Sequence, residues 1–227
     1  MFLLLTCQAG GQFGKYLTEA LLKTGKHTVT AITRTNSTNS LPEGVRIERV
    51  DYSGDELDAL VDALRGQQVL IVTMAIMAPR DAVSKLVRAA AKAGVAYVMP
   101  NWFGHDAANK KLCDDSMLSP SGEAIHAEIE NLGVSANIRL VCNFWYEFSL
   151  GGGPDRFGFD FKRRSFIVFD EGDVSFNVST WAQCARAVAN LFSLKQLPED
   201  ESDNSPTLSQ FGSRPVYTSS FRLSQME

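Results

Sequence analysis

Gly10, Gly11 and Gly14 lie in the stretch Gln8-Ala9-Gly10-Gly11-Gln12-Phe13-Gly14. An apolar run at residues 2–7 precedes it, and Tyr16, Leu17, Ala20, Leu21 and Leu22 follow at helical spacing. Glycine lets a backbone turn at positive φ and come close to a charged ligand. The amides and positive dipole end of the next helix then receive phosphate oxygens. Strand, glycine turn and helix, in that order, form the arrangement that takes a dinucleotide pyrophosphate. Gly10, Gly11, Gln12, Phe13 and Gly14 are therefore the expected pyrophosphate-binding residues. The end of the second strand, Thr33-Arg34-Thr35-Asn36-Ser37, stands where NAD-preferring proteins carry an acid. An arginine beside hydroxyls holds a 2′-phosphate by charge-assisted hydrogen bonds, so Arg34, Thr35 and Ser37 point to NADP over NAD.

These residues need a sheet to position them. Residues 28–33 are short and β-branched, residues 45–50 alternate, and residues 69–74 form a continuous apolar run expected of a strand buried on both faces. Residues 95–99 and 136–141 are further strands. Helices are expected after Gln12, after a capping box at Ser53–Glu56, from Arg80 to Ala93, from Pro120 to Asn131, and after a cap at Ser179 or Thr180. The opening order β-α-β-β-α-β-α-β predicts an α/β fold, a doubly wound parallel sheet of the Rossmann type. A small C-terminal substrate-binding region is expected after it, dividing the chain into 1–142 and 143–227. In that second part residues 166–170 and 174–178 flank Glu171-Gly172-Asp173 as a hairpin, and residues 216–221 form a last strand. Gly151-Gly152-Gly153-Pro154 lacks the Lys-Ser/Thr of a phosphate loop and reads as a hinge.

The 227 residues carry 22 Lys and Arg against 26 Asp and Glu, a net charge of −4. That balance excludes the basic footprint of a nucleic-acid binder, and Lys162, Arg163 and Arg164 read as a solvated loop or strand edge. Cys7, Cys113, Cys142 and Cys184 are widely and irregularly spaced, as for thiols in a reducing compartment, and no zinc-ligand spacing occurs. The start lacks a basic region before its short apolar run, and no run approaches the roughly 18 apolar residues of a membrane span. A cytoplasmic protein with no membrane or nucleic-acid partner is expected, and a homodimer is compatible with the sequence.

QAGGQFG at 8–14, ITR at 32–34 and AGVAYVMPNWFGHD at 93–106 together resemble the NmrA-like, or isoflavone-reductase-like, branch of the atypical short-chain dehydrogenases. NFWYEFSLGGGPDRFGFDF and STWAQCARAV in the second half are similar to fungal members. The resemblance spans nearly the whole chain. It implies NADP and a small aromatic or polyketide-like substrate, with an oxidoreductase role in secondary metabolism as the expected activity. Three departures stand out. Gln8 replaces the leading glycine of the turn. The position of the reductases' catalytic lysine falls on Gly122. The chain is also shorter than such relatives, so part of a substrate-binding region is expected to be missing. None of Tyr16, Tyr52, Tyr97, Tyr146 and Tyr217 has a lysine four residues on, so the superfamily's other dyad is absent too.

Ligands in such sheets bind beyond the strands' C-terminal ends. Thr73 and Met74 after the fourth strand, and Asn101, Trp102 and Phe103 after the fifth, are the expected cofactor contacts there. His105 is ionisable in that loop, and His126 shares a helix face with Gly122; both are the candidate proton donors in place of the lysine. Lys110 and Lys111 read as solvated surface, and Trp102, Trp145, Tyr146 and Phe148 as an aromatic set for a flat ligand or for a core. The alternatives to a reductase are a non-catalytic NADP-binding redox sensor and a non-redox cyclase or dehydratase on the same fold.

Overall fold

The computed structural model describes residues 2–7, 9–50, 57–75, 80–116 and 119–227. The first half runs β1 (Phe2–Cys7), α1 (Gln12–Lys23), β2 (His27–Thr33), β3 (Arg46–Arg49), α2 (Asp58–Leu64), β4 (Val69–Val72), α3 (Arg80–Ala93) and β5 (Tyr97–Met99). Then come β6 (Phe103–Gly104), α4 (Lys110–Asp115), α5 (Ser119–Leu132) and β7 (Ala136–Val141). The second part holds β8 (Phe144–Trp145), α6 (Tyr146–Leu150), α7 (Pro154–Phe157), β9 (Phe159–Asp160), β10 (Ser165–Phe166), β11 (Phe176–Ser179) and α8 (Trp181–Phe192). A 3₁₀ turn (Leu208–Phe211), β12 (Arg214–Tyr217) and β13 (Phe221–Leu223) end it.

The main sheet has the order β12-β7-β5-β4-β1-β2-β3, with β6 on β7, and each of its pairings is parallel. The order reverses between β1 and β4, which is where a doubly wound sheet opens a crevice. Alternation along the strands builds two cores. Val69 and Ile71 of β4 face α1 and α8, with Phe13, Leu17 and Leu21 on α1 and Ala185, Val188 and Phe192 on α8. Leu70 and Val72 face the other way, against Leu60, Leu64, Leu86, Ala90 and Ile129 of α2, α3 and α5. Phe13, Leu17 and Leu21 recur every four residues, so one face of α1 is buried and its N-terminus is fixed above β1.

The opening order matches expectation. The capping box at residues 53–56 lies outside the described residues. Three expectations change and one helix is added. The stretch 216–221 is not one strand: β12 pairs with β7, the Thr218 N–H still bonds the Val141 carbonyl, and the chain then leaves to pair β13 with β11. Residues 166–170 do not pair with 174–178. The Asp160 carboxylate instead accepts the N–H groups of Lys162 and Arg163, closing a turn that pairs β9 with β10, while β11 lies between β13 and β8. A helix, α4, stands at Lys110, capped by the Asn109 side chain on the Leu112 N–H. The division at residue 142 is crossed, because α8 packs on α1 and β12 extends the first part's sheet.

Candidate functional site

The turn after β1 presents an open helix end. Among the described residues no side chain caps α1, and its first turn holds no acid, which leaves its leading amides suited to an anion. Gly11 is the N-cap in extended geometry; Gln12 is exposed, while Phe13 and Gly14 are buried against the sheet. Gly10 is closely covered: a Cβ there would lie 2.8 Å from the Asn39 Cβ. Glycine is thus required by the approach of the loop after β2, and the cradle fits a pyrophosphate on its backbone. Gln8 lies outside the described residues.

That loop begins with Arg34, whose side chain is exposed, and turns tightly through a Ser37 N–H to Arg34 carbonyl bond of 2.9 Å. Thr35 is exposed and Ser37 half-buried. Arg49, at the end of β3, donates from Nη1 to the carbonyls of Thr35 (3.2 Å) and Ser37 (3.3 Å). The parallel register that sets Thr33 beside Arg49 creates this contact. Asn39 and Arg49 touch the expected site residues, and sequence reasoning missed both. The signal for Arg49 exists only once β3 is known to lie next to β2, and that for Asn39 once its loop is known to fold over Gly10.

Thr73 ties the ends of β4 and β1 together, its hydroxyl donating to the Cys7 carbonyl at 2.7 Å. Met74 is buried beside it. After β5 the residues part. Asn101 is half-buried. Phe103 packs toward α1, 4.9 Å from the Phe13 ring, and both rings meet Trp145, which lies 5.0 Å from Phe13. Trp181 and Tyr16 extend this wall. Trp102 goes the other way, to α5, and is buried. A Cβ built on Gly122 would fall against its Cζ3 and Cε3 atoms, so the indole fills the space a side chain would need to leave α5 there. The expected aromatic set is therefore divided: Trp145 joins Phe13 and Phe103, Tyr146 meets Phe221, Phe148 lies under the Arg156 guanidinium, and Trp102 stands apart.

His105 stacks edge-on with Trp102, whose indole N–H donates to the His105 carbonyl at 3.1 Å. Its Nε2 is 3.9 Å from the Cys113 sulfur. Burial lowers its pKa, and the carboxylates of Asp106 and Glu123 oppose that shift. Tyr217, from the end of β12, donates to Asp106 at 3.0 Å, a contact the sequence did not suggest. His126 is placed differently. The helix face it shares with Gly122 is the face packed on the sheet, and its Nδ1 is 2.6 Å from Asn137 Nδ2 on β7. Burial, then Arg139, lowers its pKa; Glu123 and Glu130 oppose. Asn137 is the second residue of β7, so His126 meets the sheet away from that strand's C-terminal end, where His105 lies in the loop after β5. Lys110 and Lys111 are exposed. None of the four cysteines forms a disulfide. No helix among the described residues is long and apolar enough to cross a membrane, and among them no three His, Cys, Asp or Glu residues gather as metal ligands.

Residues 9–129 match the family described as NAD(P)H-binding. The chain is 30% identical over 187 residues to oxidoreductase aprR of Aspergillus flavus, covering 80% of this chain and 61% of that one. It is also 30% identical over 204 residues to oxidoreductase poxI of Penicillium oxalicum, covering 83% and 59%. It thus spans about 60% of the length of these curated relatives. The structure of AtPrR2 with NADP+ and (+)pinoresinol superimposes with a TM-score of 0.72 at 18% identity, over 100% of this chain and 73% of that one. An isoflavone reductase structure superimposes with a TM-score of 0.73 at 18% identity, over 99% and 72%. With the glycine turn, the open helix end and the parallel sheet already in place, the match over residues 9–129 makes the chain a member of the NAD(P)H-binding family, with a fold like that of the isoflavone reductase structure.

Proposed function

We propose that the chain binds NADPH and reduces a small aromatic or polyketide-like metabolite in fungal secondary metabolism. The observation that carries this is the uncapped, acid-free start of α1 standing beside the Phe13–Phe103–Trp145 wall. The α1 amides and Gly10 take the pyrophosphate. Arg34, Thr35 and Ser37 take the 2′-phosphate, and Arg49 holds their loop in shape. The bound nicotinamide supplies the hydride. The aromatic wall excludes water and orients a flat ring. His105 is the proposed proton donor in the loop after β5. Its lowered pKa keeps the ring mostly neutral at pH 7, so turnover rises as the pH falls toward that pKa.

The test is NADPH oxidation followed by absorbance, with a panel of quinones, enones and flavonoid-like compounds. Turnover on at least one class, lost in His105→Ala with NADPH binding kept, supports the reading. Tight NADPH binding without turnover on any of them overturns it. That outcome selects a second reading, a non-catalytic NADP-binding regulator. The burial of Trp102 over Gly122 favours it, since no side chain leaves α5 at the position where the resemblance puts the reductases' lysine.

A further inference from the structure

The ribbon of β9 and β10 pairs with no other strand among the described residues. The chain around it is exposed throughout residues 161–171. Phe166, Ile167, Val168 and Phe169 are 40%, 49%, 42% and 44% exposed, a run of four large apolar side chains facing solvent. Such an open, apolar edge invites strand addition.

The charges around this run have an order. Lys162, Arg163 and Arg164 precede Ser165-Phe166-Ile167-Val168-Phe169, and Asp170 and Glu171 follow. Left-handed residues bracket the run, Arg164 at φ 51 and Asp170 at φ 51. Among the described residues neither makes an ion pair, while Arg163 lies 3.9 Å from Asp160.

The hydrogen bonds fix which edge is open. The Ile167 N–H donates to the Gly158 carbonyl at 2.8 Å, and the Phe169 N–H to Gln225 Oε1 at 2.8 Å. The Ile167 carbonyl accepts from Gln225 Nε2 at 3.1 Å. Successive residues of a strand turn their polar groups to opposite edges, so the N–H and C=O groups of Phe166 and Val168 face outward.

We infer that two copies of this chain pair edge to edge through residues 164–170, antiparallel about a two-fold axis at Ile167, with Arg164 of each facing the partner's Asp170. In this register Phe166 stands opposite the partner's Val168, and these are the residues whose backbone groups are open, so each such pair exchanges both hydrogen bonds. Antiparallel self-pairing always sets the first half of a segment against its second half. A segment with like-charged ends would repel itself; this one sets Arg164 beside the partner's Asp170 at each end. The contact is isologous and closes at two copies.

The test is sedimentation of wild type, Arg164→Asp, Asp170→Arg, and an equimolar mixture of the two variants at micromolar concentration. Wild type is expected to be dimeric, and each variant alone monomeric, because two like-charged pairs replace two attractive ones. The mixture is expected to recover dimers, since every facing pair is then opposite in charge. NADPH affinity is expected to be equal in all four samples, because the ribbon shares no residue with the glycine turn; this separates failure here from failure of the cofactor reading. In addition, Ile167→Cys treated with oxidised glutathione is expected to give a disulfide-linked dimer, the two thiols losing two protons and two electrons to the glutathione disulfide. The exposed control Leu197→Cys is expected to give none. A monomeric wild type, a dimer that both charge variants leave intact, or equal cross-linking at residues 167 and 197 overturns the proposal.

Discussion

Trp102 lies on α5 so that its six-membered ring takes the space beside Gly122 where any Cβ would have to go. The two residues depend on each other: the indole is buried because residue 122 has no side chain, and residue 122 tolerates none because the indole is there. Gly122→Lys is therefore expected to destabilise the protein by about 1–3 kcal/mol through overpacking. Trp102→Ala in the same chain is expected to recover part of that loss, a coupling between touching residues. Thermal melts of the two single variants and the double variant check this; additive effects refute it.

Gly10→Ala is expected to lower NADPH affinity by about tenfold, a cost of about 1.4 kcal/mol, because its methyl group pushes on the Asn39 Cβ 2.8 Å away and shifts the turn. Asn39→Gly removes that obstacle, so the double variant is expected to bind NADPH more tightly than Gly10→Ala. Calorimetric titration gives the comparison.

Arg34→Ala is expected to weaken NADPH binding by about 10- to 100-fold, the worth of a charge-assisted hydrogen bond, and to leave NADH binding nearly unchanged. Arg49→Ala is expected to move the same ratio in the same direction by less, since Arg49 acts on the Thr35 and Ser37 carbonyls that shape the loop. Equal losses for both cofactors in Arg34→Ala would show that the 2′-phosphate is held elsewhere.

His27, His105 and His126 all have pKa values lowered from 6.5, with burial as the leading cause in each. The folded chain then binds fewer protons than the unfolded chain as the pH falls below 6.5. Their contribution to stability is present above the unfolded pKa and is lost on acidification through and below it. The melting temperature is expected to drop between about pH 7.5 and about pH 5.5. His126→Gln, which keeps a side chain able to bond Asn137, is expected to flatten that dependence. An unchanged slope in this variant would mean that the other histidines carry the effect.

The succession of strands and helices along the first half and the place of the glycine turn were readable from local pattern. Val69–Val72 is apolar at every position because both its faces are covered, and Phe13, Leu17 and Leu21 mark a helix face without reference to anything distant. The stretch 216–221 misled because strand propensity does not say which sheet a residue joins. The Thr218 N–H bonds β7 and the Ser220 N–H bonds Val178 of β11, so neighbours in the sequence serve different sheets. His126 shows a related limit of local pattern. Helical spacing correctly put it on the face of Gly122, but only packing shows that this face lies against Asn137.

Residue types at short spacing thus determined the Rossmann-type sheet, the glycine turn before α1 and the expectation of an arginine at the ribose. Tertiary structure alone decided that Asn39 covers Gly10, that Arg49 braces the Arg34 loop, that Trp102 fills the space at Gly122 and that Tyr217 meets Asp106. The reason is range. Periodicity and turn chemistry act over a few residues, whereas each of these contacts joins segments that only strand order and helix docking bring together.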